Sequence, residues 1–152
     1  MTKKMYVVAA VAVMAFLTLF GVSSEAVVTE FEHFSIDVPA GWIVEEDKES
    51  NTTYFFSPNF AAVLTVAMIE NEEGKSLDEW AMTLRNEMRG TNLEKSGSVY
   101  TFEFESEGIP SRAAVAENEM IVFLTVIGGH DDIEKMISSF TMTAVTPAVP
   151  LV

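Results

Sequence analysis

The chain of 152 residues contains no cysteine. That absence excludes disulfides, thiolate metal sites, thiol nucleophiles and attachment of a lipid through an N-terminal cysteine. Basic residues are scarce as well: nine Lys and Arg stand against 23 Asp and Glu, a net charge of −14 at neutral pH. Binding to a phosphate backbone depends on basic contacts that release counterions, so nucleic acid is disfavoured as a partner, and anionic lipid with it. Histidine is nearly absent too, with only His33 and His130. No internal repeat and no long Gly- or Ser-rich linker divides the chain. A domain without disulfides is held by its hydrophobic core, and the supply of Phe, Val, Ile and Met meets that need.

What is present begins with an address. Lys3 and Lys4 precede an apolar run from Val7 to Val22, and Ser24-Glu25-Ala26 closes it with a small-x-small pattern. This predicts a secretory signal peptide over residues 1–26, cut after Ala26. The run is about 16 residues long, shorter than the roughly 20 that a membrane-crossing helix needs. An uncleaved anchor is the alternative. The expected location is periplasmic or extracellular, with no stable membrane insertion after cleavage. Residues 27–143 are expected to form one domain, and residues 144–152, with Pro147 and Pro150, a flexible extended tail.

Strand signals fill the first half of that domain. Phe34, Ile36 and Val38 alternate with Ser35 and Asp37 up to a turn at Pro39-Ala40-Gly41. Trp42-Ile43-Val44 opens the next strand, and the polar turn Asp47 to Asn51 leads to Thr53-Tyr54-Phe55-Phe56. After the break at Ser57-Pro58-Asn59, Ala62 to Ile69 is apolar on both parities, as in an interior strand covered on both faces. Ser76 with Glu79 makes a capping-box pattern, and Leu77, Trp80, Ala81, Leu84 and Met88 follow at helical spacing until Gly90, a natural stop for left-handed backbone.

In the second half Tyr100, Phe102 and Phe104 alternate with Thr101, Glu103 and Glu105. Gly108-Ile109-Pro110 is expected to turn this strand into Arg112 to Glu117, and Met120 to Ile127 forms another. Asp131 is the expected cap of a final short helix marked by Ile133, Met136, Ile137 and Phe140. Short connections favour antiparallel pairing, which gives an α+β domain: an antiparallel β-sheet flanked by two helices.

Phe34-Ser35-Ile36-Asp37-Val38-Pro39-Ala40-Gly41-Trp42, a strand running into Pro-x-Gly-Trp, resembles the PsbP-like superfamily. That group includes the extrinsic PsbP subunit of photosystem II and bacterial exported proteins of the DcrB type. The strand Val63 to Ile69, the helix start Ser76-Leu77-Asp78-Glu79-Trp80 and the late helix ending at Ser139-Phe140 agree with it, over Phe31 to Thr143. The resemblance implies an antiparallel sheet flanked by helices and used for docking onto other proteins. The chain departs from lipid-anchored bacterial relatives in having no cysteine to acylate. Nor does it offer the histidine-rich or basic surfaces of the photosystem subunits, so that function is not carried across.

Few residues invite chemistry. His130 precedes Asp131-Asp132, and an imidazole beside carboxylates can act as a base or hold a metal; the plainer reading is a polar loop before a helix. Ser111, Ser138 and Ser139 lack a nucleophile-elbow context. Glu45-Glu46-Asp47 with Glu49, and Glu70 with Glu72 and Glu73, offer oxygen ligands for calcium but not the spacing of a known calcium loop. No cofactor is expected. Periodicity places most of the aromatics in the core, but Phe55 and Phe60 break the parity of their neighbours; if one of them is exposed, Phe55, Phe56, Pro58 and Phe60 are the first choice of partner surface. The leading expectation is an exported, noncatalytic interaction module of the periplasm or cell envelope whose partner is another envelope protein. The rivals are a small-molecule or cation-binding protein and a hydrolase using His130, with Asp131 beside it.

Overall fold

The computed structural model describes residues 27–143. The expected signal peptide and tail lie outside the described residues. The described residues form ten strands and two helices. In order these are β1 (Val27–Glu30), β2 (Phe34–Val38), β3 (Ile43–Asp47), β4 (Thr52–Phe56), β5 (Ala62–Ile69), α1 (Leu77–Glu87), β6 (Thr91–Ser96), β7 (Val99–Ser106), β8 (Ile109–Asn118), β9 (Met120–Gly128), α2 (Ile133–Ser139) and β10 (Thr141–Met142). Seven strands make one sheet in the order β3-β4-β5-β9-β8-β7-β6, and three make a small sheet in the order β1-β2-β10. Every pairing is antiparallel. The expected α+β architecture, an antiparallel sheet flanked by two helices, is present.

The two faces of the large sheet are covered by different partners. On one, Phe55, Leu64, Val66, Met68, Val122 and Val126 pack against Phe34 and Ile36 of β2 and Ile133 and Met136 of α2. On the other, Tyr100, Phe102, Phe104, Ala113, Val115 and Ile121 receive Ala81 and Leu84 of α1. Ile43, Tyr54 and Phe56 form a third cluster with Phe60 and Val63. Val63 pairs with Ile127, which packs with the α1 cluster, so this third group lies on the α1 face at the β3 end.

Local chemistry explains the boundaries. The Ser76 hydroxyl accepts from the Glu79 N–H at 3.2 Å, while the Ser76 N–H donates to the Glu79 carboxylate at 3.1 Å. Both orphan donors at the start of α1 are thereby satisfied, worth about 1 kcal/mol for such a cap. Gly90 ends α1 for a different reason from the expected one. Arg89 takes the left-handed conformation at φ +55°, and Gly90 is needed because a Cβ there would lie 2.5 Å from a Phe102 ring carbon.

Two further expectations are corrected. The turn between β7 and β8 is Glu107-Gly108, both at positive φ, and Pro110 lies inside β8. It is tolerated there because Ser106 and Ile109 flank a two-residue hairpin loop, which turns the Pro110 nitrogen away from β7. Pairing with β9 begins only at Ser111, so no ladder bond is lost. The residue before α2 is Asp132, not Asp131, and its side chain makes no capping bond.

Candidate functional site

The connection between β4 and β5 is a loop held by its own polar groups. The Ser57 N–H donates to the Ala62 carbonyl at 3.0 Å, and the Ala62 N–H donates to the Ser57 hydroxyl at 3.0 Å. That hydroxyl donates to the Asn59 side-chain carbonyl at 2.9 Å, which also accepts from the Ala61 N–H at 3.1 Å. Ser57 is fully buried as the hub. Pro58 and Asn59 are exposed at the tip, and Phe60 is half-buried at φ +57°, a costly conformation for a bulky side chain. Its ring packs on Phe56 with centroids 6.2 Å apart.

The expected partner surface is therefore only partly at the surface. Phe55 is 0% exposed and Phe56 1%, so neither is open to a partner. They have opposite parity because β4 is an interior strand, with Phe55 in the β2–α2 cluster and Phe56 in the cluster with Ile43 and Tyr54. What is left of that surface is Pro58, Asn59 and the accessible part of Phe60.

His130 sits among structural contacts. Its Nδ1 accepts from the Asp132 N–H at 3.1 Å and lies 3.6 Å from the Asp132 carboxylate. The imidazole meets Trp42 edge-on at 5.2 Å between centroids. The Trp42 indole N–H in turn donates to Asp132 Oδ2 at 3.0 Å. Asp132, not the exposed Asp131, thus ties the Pro-x-Gly-Trp turn to the start of α2. Ser139 donates its hydroxyl to the Met136 carbonyl at 2.7 Å and accepts from the Asp37 N–H at 2.8 Å, which holds α2 against β2. Ser111 donates to the Ile109 carbonyl at 3.0 Å.

The acidic turn between β5 and α1 is likewise occupied with local structure. The Asn71 side-chain carbonyl accepts from the Lys75 N–H at 3.0 Å and from the half-buried Trp80 indole at 2.9 Å. Glu73 and Lys75 pair at 2.7 Å. Their hydrogen bond and charges hold the Glu73 carboxyl below its ordinary value and the Lys75 ammonium above its own. Among the described residues no group of three or more His, Asp or Glu is placed to hold a metal ion. One open cleft of about 190 Å³ is lined by Glu30, His33, Glu46, Asp47 and Lys48, among others. Another, a groove of about 550 Å³, runs past Arg89, Glu103, Glu105 and Arg112.

With these elements in place, comparison with solved structures is decisive for the fold. The solution structure of cyanobacterial PsbP (CyanoP) from Synechocystis sp. PCC 6803 superposes with a TM-score of 0.57 over 80% of this chain and 94% of that one, at 16% identity. The chain has a PsbP-like fold. A protein of Bacteroides thetaiotaomicron with a crystal structure at 1.50 Å matches with a TM-score of 0.51 and 18% identity, over 79% of this chain and 48% of that one. No protein-family model and no curated protein matches the sequence. At such identities the PsbP-like likeness is one of architecture. The Pro39-x-Gly41-Trp42 turn that suggested it is a folding feature, as the Trp42–Asp132 bond makes plain.

Proposed function

We propose that this PsbP-like domain is an exported, noncatalytic docking module of the periplasm or cell envelope, akin to bacterial members of the DcrB type. One observation carries the reading: the β4–β5 tip is locked by five hydrogen bonds around Ser57 and Asn59, the Phe60 N–H to the Ser57 carbonyl among them, yet it presents Pro58, Asn59 and the accessible part of Phe60. A loop ordered in advance loses little entropy on binding, and a partly accessible aromatic beside its tip is a suitable anchor. The partner is expected to be another envelope protein. The engagement of His130 Nδ1 by a backbone N–H, and of Asp132 by Trp42, weighs against the hydrolase reading.

The test compares two variants in a strain lacking the protein. Phe60→Asp is expected to abolish complementation while leaving the fold intact, because Phe60 lies at the rim of its cluster. His130→Ala combined with Asp131→Ala is expected to complement. Failure of the second variant with success of the first would overturn docking and bring the hydrolase or cation-binding reading forward. Export has its own measurement. Mass spectrometry of the exported protein is expected to find Val27 at the N-terminus, whereas full-length chain in the membrane fraction would support an anchor.

A further inference from the structure

The large sheet ends at β3, and among the described residues nothing pairs with the outer side of that strand. The bonding phase follows from the other side of β4. The Ser57 N–H donates to Ala62 and the Met68 N–H to Asn51, so the odd-numbered residues of β4 point their backbone groups at β5. The even-numbered ones therefore face β3, and their register partners are Ile43, Glu45 and Asp47. This leaves the N–H and C=O of Val44 and Glu46 directed outward, a ready template for another strand.

The side chains say what kind of strand fits. The edge reads Ile43-Val44-Glu45-Glu46-Asp47, with Val44 36% exposed and Glu46 and Asp47 at the surface. Glu45 is half-buried, and its Oε2 is enclosed without a hydrogen-bond partner. Leaving such an acceptor unsatisfied is costly, and a donor carried by an incoming strand would relieve it. A second copy of the chain is a poor occupant, because antiparallel self-pairing would bring these carboxylates together. The other edge of the sheet, β6, is blunted by a register shift between Thr91 and Glu94 and carries Lys95 beside Glu94. The Ile43 end of β3 also adjoins the docking tip, since Ile43, Phe56 and Phe60 share one cluster.

We propose that β3 is an acceptor edge for an extended basic and apolar segment of a partner protein, added as a new antiparallel or parallel strand. This rests on the docking reading above and supplies the chemistry of its partner. Backbone bonds from Val44 and Glu46 give affinity, and arginine or lysine side chains of the segment meet Glu45, Glu46 and Asp47.

The probe is a nine-residue peptide alternating valine and arginine, with an alternating valine and glutamate peptide as control. Titrated into the isotope-labelled protein, the basic peptide is expected to shift the amide signals of Val44 and Glu46. Val44→Pro removes one outward N–H without touching the β3–β4 ladder, and is expected to weaken binding by about tenfold or more, the worth of one such bond. Glu46→Pro removes the other outward N–H and is the second variant should Val44→Pro fail to fold. Glu45→Gln is expected to weaken binding and to reduce its salt dependence. No binding of the basic peptide, equal binding of the acidic one, or indifference to both proline variants would overturn the inference. So would self-association abolished by Val44→Pro, which would make a second copy the occupant. If the peptide fails while Phe60→Asp still abolishes complementation, docking stands and the acceptor edge falls. If the peptide binds while Phe60→Asp complements, the edge stands and docking through the tip falls.

Discussion

Phe55→Ala is expected to lower stability by about 3–5 kcal/mol, the range for deleting a fully enclosed aromatic ring. Phe55 has no solvent exposure and meets Phe31 edge-on at 5.6 Å. It shares its cluster with Phe34, Ile36, Leu64 and Met136, which belong to two strands, β2 and β5, and to helix α2. Such a surround cannot close over the void without shifting several elements, so the loss combines lost transfer free energy with an unfilled cavity. Chemical denaturation measures it directly. A loss below about 1 kcal/mol would mean that the ring is at the surface after all. The contrast with Phe60 separates folding from docking, since the rim aromatic is expected to matter for the partner far more than for the fold.

Gly128→Ala is expected to cost about 2–5 kcal/mol, from left-handed strain together with overpacking. Gly128 ends β9 at φ +77°, and a Cβ there would lie 2.1 Å from the Ala61 carbonyl oxygen. The obstacle is backbone of the residue just before β5, next to the Ala62 with which Gly128 is paired, and it cannot swing aside as a side chain would. Gly74 supplies the control. It has φ +64° with nothing within 4 Å of a modest substituent, so Gly74→Ala is expected to cost only the torsional part, about 1–2 kcal/mol. Equal losses at the two positions in thermal or denaturant melts would show that the close approach of β5 and β9 contributes nothing.

Where the sequence was legible, one physical signal dominated its neighbours. The alternation of Tyr100, Phe102 and Phe104 with polar residues translates directly into buried and exposed positions along β7. The capping box at Ser76 appears atom for atom. β6 gave no such signal, because an edge strand with Leu93 as its half-buried apolar residue has no period to read. β1 is equally silent, with Val27 and Val28 both exposed. At Phe55 and Phe56 the signal was present but ambiguous. Consecutive aromatics suit either a surface patch or a strand buried on both faces, and only the neighbouring strands decide between them. Near His130 the sequence placed the right residues together but not their bonds. Asp131 and Asp132 are indistinguishable on paper, and the choice depends on Trp42, far away in the chain.

The small sheet has a consequence for the order in which the molecule is completed. β2 pairs with β1, its near neighbour in sequence, but its other partner, β10, is the last strand among the described residues. The Asp37–Ser139 bond and the Thr143 N–H bonded to the His33 carbonyl join the same distant stretches. Contacts between such remote segments form slowly, because a long loop must close before they repay it. Without α2, Phe34 and Ile36 lose the cover that Ile133 and Met136 give them. Damage to α2 should therefore be felt first at β2, about a hundred residues before it in the sequence.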